Sequence, residues 1–192
     1  MDIKLVQRLR EISGAGVLDC QEALRQTKEN FDDAAEFLRK KGQKIAQNKE
    51  IRAVSEGIIE SYVHTNSKIG VLIEVLCETD FVARNEEFKE LAHDLALQVA
   101  ATNPKWVSPD QVPESVIEKE KEIYGEGLDS EKPTEVREKI INGKLEKFYQ
   151  DVCLLSQPFI KDDKMIVKDL IQSVAAKLGE NIQVGRFIRF AL

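Results

Sequence analysis

The sequence predicts an α+β fold, in which an N-terminal three-helix module precedes a small antiparallel sheet packed with helices. Three observations point there. Apolar residues recur at helical spacing through residues 1–47, the period shifts to two between residues 57 and 79, and helical spacing then returns ahead of a terminal strand-like segment. A chain of 192 residues has room for one ordinary core and a small additional module. The expected division is residues 1–50 for the module and 51–192 for the α+β core.

In the module, Leu5, Val6, Leu9 and Ile12 mark a first helix. It stops at Ser13-Gly14-Ala15-Gly16, where glycine can take a positive φ. A second helix is expected from about Val17 to Thr27, with Leu18, Ala23 and Leu24 on its inward side. Asn30 is a good N-cap for a third helix, which carries Phe31, Ala34, Phe37, Leu38 and Ile45. The polar run Gln47-Asn48-Lys49-Glu50 reads as an exit linker. A helix–glycine loop–helix–helix unit of this size resembles a ubiquitin-associated (UBA-like) domain, and alone it would be marginal.

In the core, Gly57–His64 and Gly70–Thr79 are rich in β-branched and other apolar residues, and Thr65-Asn66-Ser67-Lys68 joins them as a hairpin turn. Val71, Ile73, Val75 and Cys77 fall on one face of the second strand, and Leu72, Glu74, Leu76 and Glu78 on the other. A helix is expected from about Asn85, because Phe88, Leu91, Ala92, Leu95 and Val99 share one face. It ends before Asn103-Pro104, since the residue ahead of proline resists the α region. Two charged helices follow, from about Pro113 to Gly125 and from Thr134 to Val152, the second with a weak point at Asn142-Gly143. The apolar stripe of that second helix is Ile141, Leu145, Phe148, Tyr149 and Val152. A last helix runs from about Val167 to Leu178 and closes at Gly179. The segment Asn181–Leu192 reads as a strand that pairs with the hairpin.

Composition excludes several classes of function. No stretch approaches the roughly 20 apolar residues of a membrane span, and Met1-Asp2-Ile3-Lys4 has no leader character. A cytoplasmic protein without membrane contact is expected. The three cysteines, Cys20, Cys77 and Cys153, form no close-spaced metal pair and read as reduced, buried thiols. The net charge of −6 is uneven: Arg39 to Arg52 holds six Lys/Arg against one Glu. That stretch is either a solvated helix end or a surface for an acidic partner. An acidic bulk with 6% aromatics argues against direct nucleic-acid binding.

A small-molecule active site is poorly supported. His64 ends a strand and His93 lies off the apolar stripe of its helix, so both read as surface or satisfied histidines, and no phosphate-cradling glycine loop or G-x-S-x-G elbow exists. A carboxylate-pair enzyme would need two acids converging across a cleft, and the Asp/Glu residues fall mainly on predicted helix faces. Neither a catalytic residue, a cofactor nor a metal of its own is expected. The informative segment is Cys77-Glu78-Thr79-Asp80-Phe81-Val82-Ala83-Arg84-Asn85, where a strand meets a long helix. Two readings stand side by side there. Thr79 or Asp80 can simply cap the helix while Phe81 and Val82 pack beneath it. Alternatively, the acid and the aromatic protrude together from a rigid corner, a geometry suited to prying at a partner's charged site.

The segments Leu9–Leu24, Thr79–Val82, Leu154–Phe159 and Gly179–Phe190 form four motifs that, in this order, resemble those of the elongation factor Ts family. Thr79-Asp80-Phe81-Val82 is similar to its TDFV signature, after a strand of the same pattern. Leu9-Arg10-Glu11-Ile12-Ser13-Gly14-Ala15-Gly16-Val17-Leu18-Asp19-Cys20, followed by Ala23-Leu24, resembles its LRE-x-TGAG-xx-DC-xx-AL entry. Leu154-Leu155 with Gln157-Pro158-Phe159 resembles LL-x-QPF, and Gly179-Glu180-Asn181-Ile182 with Arg186-Phe187-Ile188-Arg189-Phe190 resembles GENI…RF-x-RF. Ser13 stands where threonine is usual, and Val17-Leu18 where methionines are common.

The resemblance implies a guanine-nucleotide exchange factor for translation elongation factor Tu, acting without covalent chemistry. By the same resemblance, Thr79, Asp80, Phe81 and Val82 disturb the Mg²⁺/phosphate site of the GTPase. Arg10, Val17, Leu18, Asp19 and Lys49 would contact the partner's nucleotide-binding domain. From the residues alone, Val17 and Leu18 can equally be buried between their own helices. The chain holds one core subdomain and no coiled-coil insertion. In this it resembles short members that act as homodimers, with residues 51–192 as a dimerisation-type core. A rival reading, a UBA-type module fused to a peptide-binding domain, explains residues 1–47 but neither the corner nor the C-terminal motif.

Overall fold

The computed structural model of the chain describes residues 3–49, 52–126 and 133–192, with the side chains of 42–49 outside the description. In chain order the elements are α1 (Ile3–Ser13), α2 (Val17–Gln26), α3 (Phe31–Lys49), β1 (Glu56–Val63), β2 (Ile69–Cys77), α4 (Asp80–Ala83) and α5 (Glu86–Thr102). They continue with α6 (Glu114–Glu126), α7 (Thr134–Val152), β3 (Pro158–Phe159), β4 (Asp162–Ile166), α8 (Val167–Leu178) and β5 (Ile182–Ala191). The architecture is α+β, as expected. Two compact units can be separated, and each is described by itself. One holds the chain up to Gly57 with Leu76–Phe88 and Ile171–Gln183, and the other holds Ile58–Val75, Lys89–Leu170 and Val184–Leu192.

In the first unit, α1, α2 and α3 close on a core of Val6, Leu9, Cys20, Ala23, Leu24, Ala34 and Leu38, with Leu5, Phe31 and Phe37 packed at its edge. Asn30 caps α3 as expected, its Oδ1 accepting from the amides of Asp32 (3.1 Å) and Asp33 (3.4 Å). Two apolar assignments fail. Leu18, read as inward, is 80% exposed, and Ile12 is exposed as well. Cys20 fills the inward position instead. With Ala23 and Leu24 it gives the i, i+3, i+4 pattern that a narrow helix face needs. The expected exit linker is also shorter than read, because α3 continues through Lys49. The side chain of Ile45 lies outside the described residues.

In the sheet, the strand order is β1-β2-β5. The hairpin between β1 and β2 closes with His64 N donating to Ile69 O (2.9 Å) and Ser67 N to His64 O (2.7 Å), Ser67 holding a φ of 57°. β5 runs antiparallel to β2. Leu192 N donates to Lys68 O (3.0 Å) at one end, and Arg186 Nε lies 3.6 Å from Glu74 Oε2 further along. Val71, Ile73, Val75 and Cys77 are buried, as the alternation predicts. The inner face meets α5 through Glu60, whose carboxylate is 3.2 Å from His93 Nδ1, and through Arg189 Nε, which donates to Ala100 O (3.2 Å). The opposite face carries Ile59, Val63, Leu72, Ile188 and Phe190, all exposed.

Three further features differ from the sequence reading. α7 is unbroken at Asn142-Gly143, since both residues are exposed and nothing lies within 4 Å of a Cβ placed on Gly143. β3 and β4 form a short hairpin that was not foreseen. Its loop is held by a buried amide pair: Gln98 Nε2 donates to Gln157 Oε1 (3.2 Å) and Pro158 O (3.1 Å), and Gln98 Oε1 accepts from Ile160 N (2.9 Å). The third is the single turn α4. By contrast, α8 has the bounds read from sequence. It ends at Gly179 with φ 81°, whose amide donates to Ala175 O (3.0 Å). No described helix is long and apolar enough to cross a membrane.

Candidate functional site

β2 delivers the chain to a corner built from Glu78 to Asn85. Thr79 is extended (φ −131°, ψ 157°) and serves as N-cap of α4, its Oγ1 accepting from Val82 N at 3.5 Å. Three more bonds fix Thr79 from outside the helix. Its hydroxyl donates to Glu180 Oε1 (2.6 Å), and its amide and that of Glu78 donate to Glu180 Oε2 (3.0 and 3.1 Å). Beneath the corner, the Cys77 thiol donates to Thr79 O (3.2 Å). Burial pushes that thiol's pKa up, and the nearby Glu180 carboxylate adds to the shift. Asn85 then caps α5, its Oδ1 accepting from Glu87 N (2.8 Å).

Local geometry decides which side chains protrude. Ala83 is buried and anchors the turn. Phe81 precedes it by two residues, about 200° around the helix, so it must point away. Its ring is 80% exposed, and the phenyl does not pack beneath the helix. Thr79 is therefore a cap while Phe81 is a protrusion, which takes one half from each of the two sequence readings. Asp80 is half-exposed and pairs with Arg84 (2.9 Å) one turn on. Val82 is half-buried.

The other residues singled out from sequence lie in the three-helix module. Arg10 is exposed in the last turn of α1. Gly14 turns the chain with φ +64°, its amide donating to Arg10 O (2.8 Å), while Ser13 Oγ donates to Leu9 O (2.6 Å). Val17 and Leu18 open α2 and are exposed rather than buried between helices. Asp19 is engaged within the module, where its carboxylate accepts from Lys41 Nζ at 2.6 Å. The side chain of Lys49 lies outside the described residues. Among the described residues no group of three or more His, Cys, Asp or Glu side chains could hold a metal ion.

Similarity to known proteins decides the family. The family model described as elongation factor TS matches residues 11–192. The chain belongs to the elongation factor Ts family. Elongation factor Ts of Fervidobacterium nodosum is 55% identical over 190 residues, covering 98% of this chain and 96% of that protein. The Thermotoga neapolitana protein of the same name is 55% identical over 190 residues, 99% of this chain and 96% of its own. That of Thermodesulfovibrio yellowstonii is 52% identical over 187 residues, 97% and 94% respectively.

The corner residues Thr79–Val82 are contiguous, and Arg10, Val17 and Leu18 flank the Gly14–Gly16 loop. The sequence reading gave no role to Glu180, which lies 101 residues from Thr79 yet holds it. Its one signal was membership of the Gly179-Glu180-Asn181-Ile182 segment.

Proposed function

We propose that this chain is the guanine-nucleotide exchange factor of elongation factor Tu, and that the Thr79–Val82 corner promotes GDP release by disturbing the partner's Mg²⁺/phosphate site. Family membership supports the exchange role. The observation that carries the mechanism is the Phe81 ring, 80% exposed on a turn fixed by several hydrogen bonds. The ring stands clear of the chain's own core on an ordered corner, so covering it with a partner would remove nearly all of its apolar surface from water. Phe81 wedges between partner side chains near the phosphates. Asp80 perturbs the hydrogen bonds and water ligands that hold Mg²⁺, and is not itself a metal ligand. Mg²⁺ keeps several waters and leans on the bound phosphates, so disturbing its outer shell loosens both ions together. Asp80 is available for this at small cost, because an exposed ion pair such as Asp80–Arg84 is worth under about 1 kcal/mol.

Linkage gives the thermodynamics. A factor that prefers nucleotide-free partner weakens nucleotide binding by the same ratio by which nucleotide weakens the factor. Each 1.4 kcal/mol of that coupling is about tenfold in affinity. The chain needs no catalytic residue, cofactor or metal for this.

The module of residues 1–50 docks on a second surface of the partner's nucleotide-binding domain through Arg10, Val17, Leu18 and Lys49, and residues 51–192 form the core. Asp19, half-exposed beside them and paired with Lys41 at 2.6 Å, contacts the partner from the same surface. The outer sheet face, with Ile59, Val63, Leu72, Ile188 and Phe190 exposed on three strands, supports a homodimer in which two such faces cover each other. The protein acts in the cytoplasm and needs neither nucleic acid nor membrane. The test is release of fluorescent GDP from elongation factor Tu, with the Asp80→Ala/Phe81→Ala double variant beside the unaltered chain. Equal acceleration by both removes the corner mechanism and leaves the exchange role standing.

A further inference from the structure

We propose that Glu180 and Asn181, at the exit of α8, are positioning residues for exchange, which hold the corner rigid and tie it to the chain arriving from the three-helix module. The inference rests on the exchange reading above. Two carboxylates cross between segments about a hundred residues apart. Glu180 accepts from the Glu78 amide, the Thr79 amide and the Thr79 hydroxyl at 3.1, 3.0 and 2.6 Å. In return, Glu78 Oε1 accepts from the Asn181 amide at 2.6 Å and lies 3.6 Å from the Arg52 guanidinium. Asn181 Nδ2 completes the clasp by donating to Arg52 O at 2.8 Å. Asn181 is buried, and Gly179 turns the chain out of α8 with φ +81° so that both residues face the corner.

The chemistry suits positioning. Bonds from N–H or O–H to a carboxylate are charge-assisted and about twice as strong as neutral ones. Glu180 gives its acceptor capacity to three donors of its own chain, so it holds rather than reaches. Its grip falls on Thr79, the residue that caps α4 and so sets the directions of Asp80 and Phe81. Without Glu180, two backbone amides and one hydroxyl lose their partner, and the turn can rotate. Phe81 then still meets elongation factor Tu but meets it less often in the orientation that expels GDP. The loss should fall on the rate at saturation and not on docking.

The experiment is stopped-flow release of fluorescent GDP from elongation factor Tu over a range of full-length factor concentrations. Glu180→Ala is expected to lower the saturating rate about tenfold, as loss of bonds to a charged acceptor implies. The concentration giving half that rate is expected to stay within about twofold of the unaltered chain's, a split that general destabilisation does not produce. Glu180→Gln keeps an acceptor but loses the charge, and should fall about fivefold. It also carries the test if circular dichroism shows the alanine variant unfolded. A glutamine or folded alanine variant with the unaltered saturating rate overturns the inference, as does a change confined to half-saturation. In either case loss of activity in Phe81→Ala keeps the exchange reading intact. No acceleration by the unaltered chain sinks both.

Discussion

Replacing Phe81 by alanine should slow nucleotide exchange strongly and leave the fold almost unchanged. The ring is 80% exposed, so truncating it removes little from the folded chain. Surface changes of that kind usually lie within about 0.5 kcal/mol. For a chain of this length that is a melting shift of about 1–2 °C. Alanine is also a better helix former than phenylalanine, so α4 is not weakened by propensity. On the partner, complete burial of a phenylalanine side chain is worth about 1.5–3 kcal/mol. With four-fifths of the residue still available for burial, roughly 2 kcal/mol is at stake, or about 30-fold in rate if the contact forms in the release step. Stopped-flow release of fluorescent GDP gives the rate, and a circular dichroism melt gives the stability. Exchange within twofold of the unaltered chain would refute the wedge. A melting point lowered by ten degrees would refute the placement of the ring in solvent.

Phe190→Glu puts a charge on the exposed outer sheet face and should turn a dimer into a monomer of 21.8 kDa by sedimentation equilibrium, with the helical signal kept; an unaltered chain that is already monomeric at micromolar concentration would remove the dimer. Alkaline unfolding offers another check. Burial pushes the Cys153 thiol up to about 11, above its ordinary 9.0. The folded state thus resists losing that proton, and its stability is full below pH 9 and falls as pH rises through 11. One proton gives a slope of at most about 1.4 kcal/mol per pH unit. Urea titrations of Cys153→Ala should lack that increment, and parallel slopes for the two chains would show that the thiol stays out of the titration.

Much of the fold was legible because its long elements repeat a pattern. α8 and α5 carry apolar residues at helical spacing over three turns or more, and β2 alternates cleanly between Val71 and Cys77. The misses have a common cause, which is that short or solvent-facing segments leave no periodic trace. α4 is a single turn of four residues, too short to show a stripe. β3 has two residues and depends on the buried Gln98–Gln157 amide pair, a contact across 59 positions. Asn142-Gly143 looked like a break, but glycine costs only about 1 kcal/mol in an exposed helix. Leu18 was assigned inward because it is apolar, yet it starts α2 on the open side while Cys20 takes the core. At the site, the exposed aromatic and the acid beside it could be named from the Thr79–Val82 segment. The residue that holds them could not, because Glu180 reaches Thr79 only through the closure of the fold.

In the proposed mechanism, an ordered, exposed phenyl and its neighbouring carboxylate make elongation factor Tu release GDP. The most direct measurement is the rate of fluorescent GDP release from that GTPase with this chain present at one part in a hundred and excess GTP. Every partner molecule should be emptied and reloaded by repeated turnover, and the Asp80→Ala/Phe81→Ala chain should fall toward the spontaneous rate. Release at the spontaneous rate with the unaltered chain, or full turnover by the doubly altered one, would contradict it.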